Sequence, residues 1–220
     1  MLVALEGIDG AGKQTQSAAL LSRARAAGWR AVGISFPRYG ETFFAAAVQD
    51  LLQGRYGHAN DPRLAGLVFA GDRLESRPLI ERALAEADLV VADRYVASNL
   101  AYQAARAPAS ERAAVVAWLE AVEHEVFGLP RADLTVLFDL PVALAAGRVA
   151  GRRGGDRPDG DLYEADHALL EACRDAYQDL AAKRPDWVVV PLVDDGRERA
   201  PAEVADAVFA AVAAAKPSAP

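Results

Sequence analysis

Five short runs of apolar or β-branched residues recur along the chain, and each has the length of a β-strand. They are residues 2–5, 31–35, 89–92, 134–138 and 187–192. Their apolar residues are nearly continuous and do not alternate with polar ones, which is typical of parallel strands buried on both faces. The pattern therefore predicts a five-stranded parallel sheet.

Longer stretches with a helical spacing of apolar residues lie between these strands. The predicted helices are residues 14–27, 43–52, 62–86, 111–127, 142–153, 163–183 and 202–214. Gly28 follows the first of them and is its predicted C-terminal cap. Strands that alternate with helices indicate an α/β fold with helices on both faces of the sheet, and ligands at the carboxyl ends of the strands. We interpret residues 1–220 as a single domain.

The composition of the 220-residue chain is that of a globular protein, with 52% hydrophobic and 25% charged residues. Its single cysteine, Cys173, excludes an internal disulfide and a cysteine-based zinc cluster. The N-terminus leads straight into an apolar strand without a basic leader, so we expect a cytoplasmic protein. The net charge of −7 argues against a nucleic-acid-binding protein, so we expect no such partner. No apolar run approaches the roughly 20 residues needed to cross a bilayer, so we also expect no membrane.

The segment GIDGAGK, residues 7–13, follows the first predicted strand and leads into a helix. In this context the pattern G-x-x-x-x-G-K is typical of a loop whose backbone N–H groups bind phosphate. The helix N-terminus and Lys13 add positive charge. Gln14 stands where a Ser or Thr hydroxyl would hold magnesium, so we expect the metal to be held by other residues.

Two further motifs follow predicted strands, and each has an alternative interpretation. Asp93 ends the third strand and can hold magnesium directly or through water, while Arg94 can contact phosphate; the alternative is a structural salt bridge. The segment FPRYG, residues 36–40, offers donors to an anion, or forms a turn with a packed aromatic ring.

Four arginines within residues 148–157 form either a solvated loop or a contact with a polyanion.

Together these motifs resemble those of the thymidylate kinase family. The matching segments are EGIDGAGK, FPRYG, FAGDR, DRYVASNLAY and an arginine-rich loop followed by YE. The resemblance implies a P-loop kinase fold with a lid at approximately residues 148–160. It also implies ATP-dependent phosphorylation of dTMP to dTDP, a requirement for Mg²⁺, and a homodimer.

The resemblance further implies how dTMP is bound. Phe69 would stack on the thymine ring, and Arg73 and Asn99 would hydrogen-bond its edge. Tyr102 would crowd a 2′-hydroxyl group and so favour deoxyribose. The substrate-binding residues implied in this way are Phe36, Pro37, Arg38, Tyr39, Phe69, Arg73, Arg94, Ser98, Asn99, Tyr102 and Tyr163.

The remaining roles concern ATP, the metal and phosphoryl transfer. The phosphate loop contains no arginine, so the resemblance implies the bacterial-type arrangement, in which the lid supplies that charge. The implied ATP-binding residues are Gly7, Ile8, Asp9, Gly10, Ala11, Gly12, Lys13, Gln14 and Thr15. The implied catalytic residues are Lys13, Asp9, Asp93, Arg94, Arg148, Arg152 and Arg153. The implied metal ligands are Asp9 and Glu164.

Two other functions are compatible with a phosphate loop. A kinase that acts on another nucleotide or on a deoxynucleoside is one, and a nucleoside kinase would need a carboxylate beside the 5′-hydroxyl group as a base. A nucleotide-dependent switch such as a GTPase is the other, and it would carry the motif N-K-x-D. Neither asparagine of the chain, Asn60 or Asn99, precedes a lysine, which disfavours the switch.

Overall fold

Five parallel strands form the central sheet in the computed structural model, which describes residues 1–56, 61–151 and 166–216. The strands are β1 (Leu2–Glu6), β2 (Ala31–Ser35), β3 (Leu89–Asp93), β4 (Leu134–Asp139) and β5 (Trp187–Pro191). Their order across the sheet is β2-β3-β1-β4-β5. The predicted parallel sheet is therefore confirmed, and every residue of the central strand β1 is buried, as expected for a strand covered on both faces.

The α-helices of the described residues lie between these strands or follow the last of them. They are α1 (Lys13–Ala26), α2 (Phe43–Leu52), α3 (Pro62–Glu75), α4 (Arg77–Glu86), α5 (Val96–Arg106), α6 (Arg112–Glu120), α7 (Val142–Gly151), α8 (His167–Ala181) and α9 (Pro201–Ala215). Gly28 follows α1 with φ of 82°, which confirms the predicted cap. None of these helices has the length and apolar character that a membrane span requires.

Two long predicted helices are interrupted in the structure. The predicted helix 62–86 is two helices, because Pro78 cannot continue the hydrogen-bond ladder of α3 and instead lies in the first turn of α4. The predicted helix 111–127 changes after Glu120 into a π-helical turn, Ala121–Val126. Such turns widen the helix locally and are frequent at functional sites.

Two elements were not predicted from the hydrophobic pattern. Helix α5 was not predicted, although its apolar residues have a helical spacing, and it also buries the polar residues Asn99 and Gln103. The other is an antiparallel hairpin of β6 (Val193–Asp194) and β7 (Arg197–Glu198). In the folded structure, α5 packs against α3, α6 and α8, and α1 packs against α9.

Candidate active site

The phosphate loop, residues 7–12, connects β1 to α1 at the carboxyl edge of the sheet. Gly7, Gly10 and Gly12 have φ of 138°, 83° and 83°, which only glycine adopts readily. A Cβ on Gly7 would lie 2.7 Å from the carbonyl oxygen of Phe138, and one on Gly10 equally close to that of Ala145. The loop is therefore held tightly against β4 and α7, with the N-terminus of α1 behind it.

Lys13 folds back over the loop that precedes it. Its Nζ donates to the carbonyl oxygens of Gly7 and Ile8, each at 2.9 Å, and the residue is 6% exposed. Burial, reinforced by the nearby charge of Arg94, lowers the pKa of Lys13 to about 8. Gln14 and Thr15 are exposed at the start of α1, while Ala11 is buried in the core.

Asp9 and Arg94 join the phosphate loop to the end of β3. Nη2 of Arg94 donates to Oδ1 of Asp9 at 2.6 Å, and the hydroxyl of Tyr102 donates to Oδ2 at 2.9 Å. Burial alone would raise the pKa of Asp9, but the charges of Arg94 and Lys13 hold it well below its usual range. Asp9 is therefore an ionised carboxylate at the mouth of the loop.

The buried carboxylate of Glu6 positions Arg94 through Ser98. Its Oε2 accepts from Ser98 Oγ at 2.6 Å and from the Tyr177 hydroxyl at 2.9 Å, and its Oε1 accepts from the backbone N–H of Tyr95 at 2.8 Å. Ser98 Oγ also accepts from Nη1 of Arg94 at 3.0 Å. Burial raises the pKa of Glu6. Glu6 was not among the predicted site residues, although an acidic residue that ends an apolar strand was a usable signal.

The segment 36–40 is fixed by Asp72, which was also not among the predicted site residues. Asp72 is 1% exposed and accepts from the backbone N–H of Arg38 at 3.0 Å and from Thr42 Oγ1 at 2.5 Å. The Arg38 guanidinium contacts Ser76 Oγ at 3.2 Å and the carboxylate of Glu41. Arg38 thus braces this turn in the structure, and its contact with an anion stays a prediction.

Other residues of the turn differ in exposure. The peptide bond between Phe36 and Pro37 is cis. Phe36 is buried against Tyr95, with ring centroids 6.1 Å apart, whereas Tyr39 is 48% exposed. Tyr39 therefore has a surface that a ligand can contact.

Arg73, Asn99 and Glu123 form a buried polar cluster. Nε and Nη2 of Arg73 donate to the Glu123 carboxylate at 2.5 and 2.6 Å, and Nδ2 of Asn99 donates to it at 2.8 Å. Phe69 lies on the same helix as Arg73, one turn earlier, and is half-buried. Glu123 was missed because the pattern predicted a regular helix here, whereas the π-helical turn carries this residue.

The remaining predicted residues lie at the same edge of the sheet or outside the described part of the chain. Asp93 ends β3, and burial raises its pKa. Arg148 on α7 donates to the carbonyl oxygen of Gly10 at 3.3 Å and to Glu198 of the hairpin at 2.5 Å. Four predicted residues lie outside the described residues: Arg152, Arg153, Tyr163 and Glu164.

The oxygen atoms that the side chains offer at this edge suit a hard cation that is coordinated mainly by phosphate and water oxygens. Among the described residues, no group of three or more His, Cys, Asp or Glu side chains could hold a metal ion. Magnesium in phosphate sites usually needs one or two carboxylates, with phosphate and water oxygens completing its shell. The ionised Asp9 fits that requirement, and the exposed amide of Gln14 is the poorer ligand.

Comparisons with known proteins agree on one family. The family model described as thymidylate kinase matches residues 5–197. A thymidylate kinase of Mycobacterium tuberculosis (strain H37Rv) is 38% identical over 202 residues, which cover 90% of this chain and 94% of that protein. A thymidylate kinase of Rhodopseudomonas palustris (strain CGA009) is 34% identical over 212 residues, which cover 96% and 87% of the two chains.

A solved structure supports the same fold. The thymidylate kinase of Candida albicans matches with a TM-score of 0.75 over 97% of this chain and 91% of that chain. At 20% identity this likeness shows the fold alone.

Proposed function

The chain belongs to the thymidylate kinase family and therefore phosphorylates dTMP to dTDP with ATP, and we propose that the described residues perform this reaction where the phosphate loop meets Arg94. The observation that carries the proposal is the contact of Arg94 with Asp9 at 2.6 Å. It brings a cation, a carboxylate, the phosphate-loop amides and Lys13 to one edge of the sheet. Phosphoryl transfer needs this kind of assembly, because it depends mainly on alignment and on positive charge around the transferred group.

The donor side of the site is the phosphate loop. Its backbone N–H groups and the N-terminus of α1 would hold the phosphates of ATP. The Nζ of Lys13 already lies against the loop, 2.9 Å from the carbonyl oxygens of Gly7 and Ile8, and would add a full positive charge to the same phosphates.

The acceptor side would use residues of α3 and α5. Phe69 offers a half-buried aromatic face for the thymine ring, and Arg73 and Asn99 offer polar groups for its edge. Tyr102 would lie under the sugar, while Tyr39 and Arg94 would frame the 5′-phosphate. The 36–40 turn and Tyr163 would complete this side.

Positive charge for the transfer step would come from Arg94 and from the lid. Arg148 already contacts the phosphate loop through Gly10, and Arg152 and Arg153 follow it in the sequence. Charges of this kind matter most in the transition state, where negative charge spreads over the equatorial oxygens. The acceptor is an ionised phosphate, so no strong general base is needed, and Asp93 would act on the metal side through water.

Asp9 is the described residue that would hold Mg²⁺, with Glu164 as its proposed partner. When bound, the ion would neutralise charge on the phosphate oxygens. Asp9 suits this role because its carboxylate is ionised and lies within the loop. We also propose a homodimer and a cytoplasmic location, which the family resemblance and the single cysteine support.

A coupled assay of ADP formation tests this proposal. The protein with ATP and magnesium should convert dTMP to dTDP and should leave thymidine unphosphorylated, because a nucleoside kinase would need a carboxylate as a base beside the 5′-hydroxyl group and the proposed site assigns none to that role. The Lys13→Ala variant should lose most of this activity. Phosphorylation of thymidine, or a Lys13→Ala variant with wild-type activity, would contradict the proposed site.

A further inference from the structure

Three buried polar side chains meet between α3, α5 and the π-helical turn. Arg73, Asn99 and Glu123 are 3%, 2% and 0% exposed. Glu123 receives hydrogen bonds from two nitrogens of Arg73 and one of Asn99, so a single carboxylate holds both side chains. Breaking a buried ion pair is costly, so this arrangement is firmly fixed.

The amide of Asn99 can adopt only one orientation in this cluster. Its Nδ2 donates to Glu123 Oε1 at 2.8 Å and to the backbone carbonyl oxygen of Gly66 at 2.9 Å. Both neighbours are acceptors only, so a reversed amide would set its oxygen against two other oxygens. The Oδ1 of Asn99 is left buried, without a hydrogen-bond partner among the described residues. An orphaned buried acceptor needs an explanation, and a ligand donor supplies one.

We propose that Glu123 determines which pyrimidine the site accepts, because it presents Asn99 as an acceptor and Arg73 as a donor toward the base. The inference rests on the proposed placement of the base against these two side chains. Thymine and uracil carry a ring N–H at position 3 and a carbonyl at position 4, which match an acceptor and a donor. Cytosine carries an unprotonated ring nitrogen and an amino group there, so both contacts become mismatches.

Glu123 acts in this scheme as a positioning residue. It has no exposed surface, so it reaches the base only through Arg73 and Asn99. Its two bonds from Arg73 use Nε and Nη2 and do not involve Nη1, which can donate to the base. A site built from fixed polar groups rejects a mismatched base strongly, because those groups then stay buried and unpaired.

The test compares kcat/KM for dTMP, dUMP and dCMP in the wild type and in Glu123→Gln. Glutamine brings an NH₂ group to the cluster, which favours a reversed Asn99 with its own NH₂ group toward the base. We expect the dTMP-to-dCMP ratio to fall at least about tenfold in this variant. The dTMP-to-dUMP ratio should stay within about twofold, since uracil presents the same edge and differs only in a methyl group.

A second variant, Glu123→Asp, keeps the test possible if the Glu123→Gln protein does not fold. Glu123→Asp keeps the charge that Arg73 needs, but its carboxylate is one methylene shorter and cannot reach both side chains. We expect a smaller fall of the same dTMP-to-dCMP ratio. Glu125→Gln is the matched control, because it removes one carboxylate from an exposed position of the same turn, and it should behave as wild type.

The outcomes separate this inference from the proposed function. A wild type that does not phosphorylate dTMP would refute the proposed function. If the wild type phosphorylates dTMP, an unchanged dTMP-to-dCMP ratio in folded Glu123 variants would overturn the inference. A parallel fall of the dTMP-to-dUMP ratio would overturn it as well, because it would indicate a loosened pocket.

Discussion

The hydroxyl of Tyr102 donates to Oδ2 of Asp9 over 2.9 Å, so the proposed sugar site and the phosphate loop share one carboxylate. Nη2 of Arg94 binds the other oxygen of Asp9, and the Arg94 guanidinium lies 5.5 Å from the centre of the Tyr102 ring. Burial raises the pKa of Tyr102 well above its usual value, so the phenol stays protonated and keeps donating. Tyr102 therefore has two separable parts, a ring that occupies space and a hydroxyl that orients Asp9.

Substitutions of Tyr102 should separate these two parts. Tyr102→Phe keeps the ring and removes one hydrogen bond to a charged group, which is worth about 1.5–3 kcal/mol. We expect kcat/KM for dTMP to fall while the preference for dTMP over its ribonucleotide stays. Tyr102→Ala should relax that preference. Steady-state kinetics with both nucleotides provide the measurement, and equal preferences in wild type and Tyr102→Ala would remove the sugar role.

Glu6 should stabilise both the fold and the position of Arg94. Its carboxylate accepts from Ser98, Tyr177 and the Tyr95 backbone, and the NH₂ group of Glu6→Gln would meet donors where an acceptor is needed. We expect a loss of roughly 2 kcal/mol in the free energy of unfolding, measured by urea titration, together with a lower kcat. Glu86→Gln on the exposed side of α4 is the control and should be neutral; a loss of the same size there would speak against a specific role for Glu6.

The sheet and most helices could be predicted because the burial of an element determines the positions of apolar residues in its sequence. Strands covered on both faces are continuously apolar, and the phosphate loop has a spacing that few other structures need. Helix α5 was not predicted although its apolar residues have a helical spacing, and its Asn99 and Gln103 turn polar groups into the interior beside them. The Asp195-Gly196 pair of the β6–β7 hairpin was a usable turn signal, as both residues have positive φ.

The supporting residues of the site were harder to predict than the residues proposed to touch ligands. Glu6, Asp72 and Glu123 act by binding other side chains. Asp72 binds Thr42, 30 positions away, and Glu123 binds Arg73, 50 positions away. No local spacing marks such a pair. Glu123 also depends on the π-helical turn, which a regular helical period does not reveal.

The pKa of Lys13 predicts how ATP binding depends on pH. Burial depresses this pKa to about 8, against 10.5 for an ordinary lysine. The folded protein without nucleotide therefore loses the Lys13 charge as pH rises through about 8. We expect ATP affinity, measured by calorimetry, to weaken between pH 7.5 and 9.5 on this account, by at most about tenfold per pH unit. Lys13→Met should bind weakly and show a flatter profile over that window.

The lowered pKa of Lys13 also predicts whether the free energy of unfolding rises or falls with pH. Between about pH 8 and 10.5 the unfolded state binds more protons at Lys13 than the folded state does, so this group makes folding more favourable as pH rises. The difference in unfolding free energy between the wild type and Lys13→Met should therefore change in favour of the wild type across this window. An unchanged difference would show that Lys13 titrates normally.

Arg148 should contribute to the transfer step more than to substrate binding. It bridges Gly10 of the phosphate loop and Glu198 of the hairpin, which places its charge beside the proposed ATP phosphates. We expect Arg148→Ala to lower kcat by roughly tenfold to a hundredfold, with little change in the KM for dTMP. Glu198→Gln removes the partner and keeps the cation, so it should retain kcat; equal losses in both variants would point to a structural bridge alone.

Asp9 and not Gln14 is proposed to hold the metal. Gln14 is exposed and offers a neutral amide, whereas the charges of Arg94 and Lys13 keep Asp9 ionised at the mouth of the loop. Gln14→Ala should leave magnesium-dependent kcat/KM within about 1 kcal/mol of wild type, which is roughly fivefold. Asp9→Asn should cut activity severely and raise the magnesium concentration needed for half-maximal rate.

Magnesium titrations of both variants distinguish a metal ligand from a residue that only holds Arg94 and Tyr102. Asp9→Asn also weakens those two contacts, so its kcat would fall in either case. Tyr102→Phe is the matched control, because it removes one of these contacts and leaves the carboxylate in place. If Asp9 is a ligand, the half-maximal magnesium concentration should rise in Asp9→Asn and stay unchanged in Tyr102→Phe. A rise in Gln14→Ala, together with an unchanged value in Asp9→Asn, would place the metal on the other side of the loop.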